Sequence, residues 1–206
     1  MTPEDILTEL IAFRSVVGQP NAAIATWIAD YLGRCGVEAQ LLPGPEGDRS
    51  NLFATIGPRN VAGLVLSGHM DVVPAEEPQW SADPFQLRAE RDRLFGRGTS
   101  DMKGFLAAAL AIVPSLVASK PVRPIHLAFS YDEEAGCRGV PHLIAALPSL
   151  CARPAAAVIG EPSGLRPILA HKGKAAARVE VHGKSGHSSR PDLGLNAIHA
   201  MGRVIA

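Results

Sequence analysis

His69 and Asp71, two positions apart in Ser67-Gly68-His69-Met70-Asp71-Val72-Val73-Pro74, open a series of metal-binding residue types along the chain. Asp101 follows in Gly96-Arg97-Gly98-Thr99-Ser100-Asp101-Met102-Lys103-Gly104, and the adjacent Glu133 and Glu134 in Ser130-Tyr131-Asp132-Glu133-Glu134-Ala135-Gly136. Glu161 closes the series in Ile159-Gly160-Glu161-Pro162-Ser163. Taken singly, each is an ordinary strand-end, turn or solvated residue. Gathered into one pocket, one imidazole and several carboxylates form a ligand set for one or two divalent cations.

Electrostatics sharpens that reading. Two carboxylates ~4 Å apart repel by about 4 kcal/mol at an effective dielectric of about 20. Asp101, Glu133, Glu134 and Glu161 can therefore crowd together only with protonation, expansion or a compensating cation. A pair of zinc-like ions sharing a bridging carboxylate meets the requirement. Asp71 acts differently. Two residues beyond His69, it projects to the same side of a strand, where it can accept the imidazole N–H and orient the ring. Adjacent Glu133 and Glu134 should point in different directions, so that one binds metal while the other stays free as a base.

The elements that would position these groups follow from pattern. Thr2-Pro3-Glu4-Asp5 reads as a helix start, with Ile6, Leu7, Leu10, Ile11 and Phe13 as its apolar stripe. Pro20 opens a second helix carrying Ile24, Trp27, Ile28, Tyr31 and Leu32, stopped by Gly36. Strands are expected over residues 37–42, 51–56, 62–67, 125–130 and 155–159, and helices over 105–117 and 140–150. Alternating strands and helices, with several uniformly apolar strands, predict an α/β fold: a three-layer mixed sheet with helices on both faces. In such sheets ligands collect beyond the carboxyl ends of strands, where His69, Glu133 and Glu161 fall. Near Lys172-Gly173-Lys174 the character changes. Residues 176–182 alternate like a half-exposed strand, and Asp192 starts an amphipathic helix bearing Leu195, Ile198, Met201, Val204 and Ile205. The expected division is a catalytic domain over 1–173 and the start of a small α+β domain over 174–206, which one strand and one helix leave incomplete.

Bulk composition narrows the function classes. The chain has 206 residues, 47% of them hydrophobic, with 20 Lys+Arg against 20 Asp+Glu. No basic run interleaved with aromatics points to nucleic acid, and no apolar stretch approaches the ~20 residues of a membrane span. The N-terminus lacks the pattern of a secretory leader. The three cysteines, Cys35, Cys137 and Cys151, have no metal-site spacing and read as reduced thiols of a cytoplasmic protein.

Residues 67–74, 96–104, 131–136, 160–163 and 186–191 together resemble the M20 metallopeptidase/deacylase family, collinearly over the whole chain. Within it, Leu169-Ala170-His171-Lys172-Gly173 and Ser185-Gly186-His187-Ser188-Ser189-Arg190-Pro191, followed by Gly194-Leu195-Asn196-Ala197-Ile198, are most similar to the acetylornithine deacetylase branch. The resemblance implies a zinc-exopeptidase-like catalytic domain followed by a ferredoxin-like lid and dimerisation domain. It implies two divalent cations, zinc with cobalt as the alternative: His69 and Glu161 on one, Glu134 on the second, Asp101 bridging both. Glu133 would be the general base and acid, Asp71 would stand behind His69, and the Asp101–Met102 peptide bond would be cis. His187 would contact the substrate or its oxyanion.

The implied reaction is hydrolysis of an N-acyl amino acid, N2-acetyl-L-ornithine by preference, to acetate and L-ornithine in arginine biosynthesis, by a homodimer. Family members add a histidine to the second metal from a segment corresponding to none of this chain. The 206-residue form is therefore expected to be truncated, with an incomplete second site and little or no turnover. Sibling hydrolases (a succinyl-diaminopimelate desuccinylase, a carboxypeptidase, a dipeptidase, an acetylcitrulline deacetylase) share the metal set. A non-catalytic fragment acting by self-association is the alternative from another class, and an inert partial sequence without a stable fold is the third.

Overall fold

Thr2 starts the first helix, α1 (Pro3–Ala12), with a reciprocal cap: its hydroxyl accepts from the Asp5 amide while the Asp5 carboxylate accepts from the Thr2 amide. Pro3 sits in the first turn, where a missing N–H costs nothing. The stripe of Ile6, Leu7, Leu10 and Ile11 is buried, as its spacing requires. Helix α2 (Ala22–Arg34) begins after Asn21 rather than at Pro20, and Gly36 beyond it takes φ +78°, the left-handed turn that ends the helix.

The computed structural model describes residues 1–170, 172, 173 and 175–206, so His171 and Lys174 of the sequence motifs lie outside the described residues. The chain divides into two compact units, Met1–Leu165 and Arg166–Ala206.

In the first unit, β1 (Ala39–Pro43), β2 (Ser50–Ile56) and β3 (Leu64–His69) are followed by a short hairpin, β4 (Arg88–Glu90) and β5 (Arg93–Phe95). Then come α3 (Lys103–Ala111), α4 (Val113–Ser119), β6 (Ile125–Ser130), α5 (Val140–Leu150) and β7 (Ala156–Ile159). The main sheet runs β1-β2-β6-β3-β7. β3 is parallel to both β6 and β7, while β2 pairs antiparallel with β6 and with β1. The sheet is therefore mixed.

Side-chain alternation along each strand builds two cores. Leu52, Ala54 and Ile56 of β2 and Leu127 and Phe129 of β6 join the buried faces of α1, α2 and α3. Phe53 and Ala128 turn the other way and meet Leu143 and Leu150 of α5. Each fully buried aliphatic or aromatic side chain there contributes roughly 1.5–3 kcal/mol. The resulting three layers match the architecture expected from sequence.

Some local expectations failed for identifiable reasons. The single helix over 105–117 is two helices, because Pro114 has no N–H to give Leu110 and its ring collides with that turn; it stands instead in the first turn of α4. The strand over 176–182 does not form among the described residues, where this segment is exposed and has no ladder of partners for its amides. In this second unit Lys184 and Leu195 form an isolated bridge. Asp192 lies in a 3-10 turn, Pro191–Leu193, paired with Arg190. Helix α6 (Ala197–Ile205) starts later, at Asn196, whose side-chain oxygen accepts from the Ile198 and His199 amides. Among the described residues no helix is long and apolar enough to cross a membrane.

Candidate metal centre

The parallel arrangement of β3, β6 and β7 puts their carboxyl ends along one edge of the sheet. His69 is the last residue of β3, the loop bearing Glu133 and Glu134 leaves β6 after Ser130, and Glu161 follows β7. Asp101 arrives from the other side, just ahead of α3. Helix α3 comes close because two glycines permit it. A Cβ on Gly68, next to His69, would sit 2.6 Å from Leu106 Cδ1, and one on Gly160, next to Glu161, would overlap the Phe105 ring.

His69 is 1% exposed. Its Nδ1 donates to the Asp71 main-chain carbonyl at 2.9 Å, which turns Nε2 towards Asp101 Oδ1, also 2.9 Å away. Glu161 Oε1 lies 3.8 Å and Glu133 Oε2 4.0 Å from the same nitrogen. The Asp101–Met102 bond is cis, as the resemblance implied. Met102 Sδ accepts from the His69 amide at 3.3 Å, which ties the two ligand-bearing segments together.

Asp71 does more than orient an imidazole. Its carboxylate stands 3.5 Å from His69 Nδ1, farther than its own carbonyl, and accepts from the Glu133 amide at 3.1 Å and the Glu134 amide at 3.2 Å. The acidic pair is thus pinned by its backbone, leaving both side chains available to the centre.

Beneath that pair the loop is held by groups that sequence reasoning passed over. Asn51 donates to the Gly139 carbonyl and accepts from the Tyr131 amide, closing the neck of the loop. Asp132 takes φ +49° and is buried, bonded to the Gly18 amide at 2.8 Å and to Arg49 Nη1 at 2.6 Å. Lys103, fully buried, donates to the Leu10 and Phe13 carbonyls at the end of α1. Ser15 donates to the Met70 carbonyl and accepts from the Val72 amide, and Val17 bonds back to Val72. Residues 13–18 therefore touch all three segments that carry His69, Asp101 and the acidic pair. For Lys103 the sequence signal was a lone lysine opening an alanine- and leucine-rich helix. For Asp132 and Arg49 there was none, since a positive φ and a pairing across distant loops leave no local pattern.

The electrostatics are those of a site short of positive charge. Burial raises the Glu134 carboxyl, with Asp101, Glu133 and Asp71 adding to the effect against the pull of His69. Glu161 is raised in the same way, by burial first and then by its acidic neighbours. Burial opposes protonation of His69, yet Asp71, Glu161 and Asp101 together push it up to about 9. Burial drives the Lys103 ammonium down to about 7 despite Asp71. The acidic ring thus favours positive charge at His69.

The donor set fits a divalent ion. His69 with Asp101 and Glu134, and His69 with Glu133 and Glu161, each place their donor atoms within 4.8 Å of one another. Tetrahedral zinc, with bonds of ~2.0–2.2 Å, needs donors ~3.3–3.6 Å apart, so modest side-chain adjustments suffice. One imidazole serves both groups, and only its Nε2 is available to a metal. Asp101 is the carboxylate nearest to that nitrogen. Asp101 and Glu134 also line a cavity of about 190 Å³ with Val73 and residues 96–100.

His187 belongs to the second unit and is exposed. Its Nδ1 accepts from the Ser189 amide at 3.2 Å and lies 2.8 Å from the Ser189 hydroxyl, so that Nε2 carries the proton of the neutral ring.

Comparison with known proteins agrees with this geometry. An acetylornithine deacetylase from Photorhabdus laumondii is 39% identical over 204 residues, 96% of this chain and 52% of that protein. One from Proteus mirabilis is 37% identical over the same shares. The chain spans about half the length of the curated relatives it matches. An M20 family metallo-carboxypeptidase from Sulfolobus solfataricus shares the fold with a TM-score of 0.67 at 24% identity, over 77% of this chain and 37% of that one. The pattern defining peptidase family M20/M25/M40 matches residues 65–200, which include every residue of the centre. The chain that gathers His69, Asp101, Glu134 and Glu161 at one sheet edge belongs to that family.

Proposed function

We propose that this chain carries the metal centre of an amidohydrolase that removes the acetyl group from N2-acetyl-L-ornithine, giving L-ornithine and acetate for arginine biosynthesis in the cytoplasm. The observation that supports it most is the gathering of one buried imidazole and four carboxylates around Nε2 of His69, with Asp71 fixing both. Similarity to the deacetylases at 37–39% identity supports the substrate.

In this reading His69 and Glu161 would hold one divalent ion and Glu134 a second, with Asp101 as the carboxylate they would share. Zinc, or cobalt, held there would supply Lewis acidity to the substrate carbonyl and to water. Glu133 takes the proton from the attacking water and returns it to the leaving amine. Asp71 holds the His69 ring and the acidic pair in register. His187 is read as the donor to the substrate's oxyanion. Residues 1–173 form the catalytic domain and 174–206 begin the lid, with a homodimer as the assembly.

The test is Glu133→Gln in the zinc-loaded full-length gene product. Metal content should stay unchanged while hydrolysis of N2-acetylornithine falls by roughly 10²–10⁴-fold. Unchanged turnover would remove Glu133 from the base role. A panel with N-succinyl-diaminopimelate, acyl-glutamates and dipeptides tests the substrate separately, because pocket contacts rather than the metal set decide that choice. A dipeptide preferred over acetylornithine would leave the hydrolase standing and reassign it to the sibling activity.

A further inference from the structure

We infer that Arg49 is a positioning residue for the acidic pair: acting through Asp132, it sets where Glu133 and Glu134 present their carboxylates while touching neither. The inference rests on the reading of the centre given above. Asp132 is 1% exposed and holds φ +49°, a left-handed conformation held immediately before the acidic pair. Its carboxylate is held on one oxygen by the Gly18 amide and on the other by Arg49 Nη1 at 2.6 Å. Its carbonyl accepts from the Arg138 amide at 3.0 Å. The two amides that follow are fixed by Asp71. The turn is thus gripped from below through Asp132 and from above through Asp71.

Charge decides which grip matters. A carboxylate this far from water needs a counter-charge, and removing one member of a buried pair strands the other. Arg49, with a side chain only 13% exposed, is the cation paired with Asp132, and its Nε is steadied by Asp48. Without Arg49, the buried Asp132 carboxylate loses its cationic partner and one of the two contacts that hold it in place. That loosens the turn that aims Glu133 and Glu134. An ammonium keeps the charge but not the planar fork, so lysine should restore the function in part.

The experiment uses the full-length gene product carrying Arg49→Met, Arg49→Lys or Arg49→Met with Asp132→Asn, each titrated with Co²⁺. Affinity, the visible cobalt spectrum and thermal unfolding are recorded together. Arg49→Met should weaken cobalt binding by roughly 10–100-fold, as loss of an outer-sphere support does, and change the spectrum. Arg49→Lys should fall between it and wild type, and added guanidinium ion should move Arg49→Met back towards the wild-type spectrum. If Arg49→Met does not fold, the double variant, which strands no charge, should fold and still bind cobalt weakly. Wild-type affinity and spectrum in Arg49→Met or the double variant, whatever the change in melting temperature, overturn the assignment. A wild-type protein that binds no cobalt overturns the metal centre itself, which is a separate result.

Discussion

Replacing Asp71 with alanine would take away the acceptor of two consecutive amides and the carboxylate beside His69 Nδ1, while leaving every candidate ligand in place. Zinc affinity should fall by roughly 10–100-fold, measured by competition with a chromogenic chelator. Asp101→Ala should be harsher. As the group proposed to bridge two ions, its loss should empty both sites, and a variant still holding two equivalents of zinc by elemental analysis would contradict the bridge.

His126 offers a test remote from the metal. It is fully buried, Nδ1 lies 3.0 Å from Thr55 Oγ1, the ring stacks on Phe53, and Nε2 has no partner among the described residues. Burial, and then Arg59, hold its pKa below the usual 6.5. The unfolded chain therefore binds a proton below about pH 6.5 that the folded chain refuses, so the stability is present above that pH and is lost as the pH falls. His126→Phe should reduce the loss of stability between about pH 7.5 and pH 5.5 in urea unfolding; an unchanged slope would show that His126 does not titrate with folding.

At this scale the sequence was most informative where chemistry repeats a residue type at strand ends. All six residues from His69 to Glu161 meet where the pattern placed them. The parts it left dark, Asn51, Arg49 and Ser15, act through a few hydrogen bonds to segments distant in sequence.

Among the elements, α3 has the tightest fit, because Gly68 and Gly160 admit its side chains against β3 and β7. Gly160→Ala should displace the Phe105 ring, cost about 1–3 kcal/mol of stability and shift Glu161. Unfolding in urea and zinc titration would register both effects, and unaltered values in both would show that the ring moves freely. The strands over 51–56 and 125–130 and the helix over 140–150 were legible because period and end signals agreed. The α3–α4 break was legible too, in Pro114, but was outweighed by the continuous apolar run around it. The β4–β5 hairpin was not, since its strands are only three residues each, too short to show a period. Residues 176–182 show the opposite case, an alternating pattern with no neighbouring strand to use it.

For the molecule as a whole, the centre should be a source of stability. Zinc at a hundred times its dissociation constant should add about 2.7 kcal/mol to unfolding of the first unit. That corresponds to a rise of roughly 5–10 °C in melting temperature, reversed by chelator and absent in Asp101→Ala. An unchanged melting curve would mean that ions bind folded and unfolded chains alike. The fold class was readable at this scale because three parallel strands alternate with helices; the sheet order was not, because it rests on pairings between strands distant in sequence.

Residues 13–18 donate no ligand, yet they are bonded to the β3 extension, to Lys103 beside Asp101, and to Asp132 under the acidic pair. Gly18, Gln19 and Pro20 are exposed where that stretch turns towards α2. A proteolytic nick there would free one end of the segment that laces the centre together. Zinc should then leak away with every coordinating side chain intact.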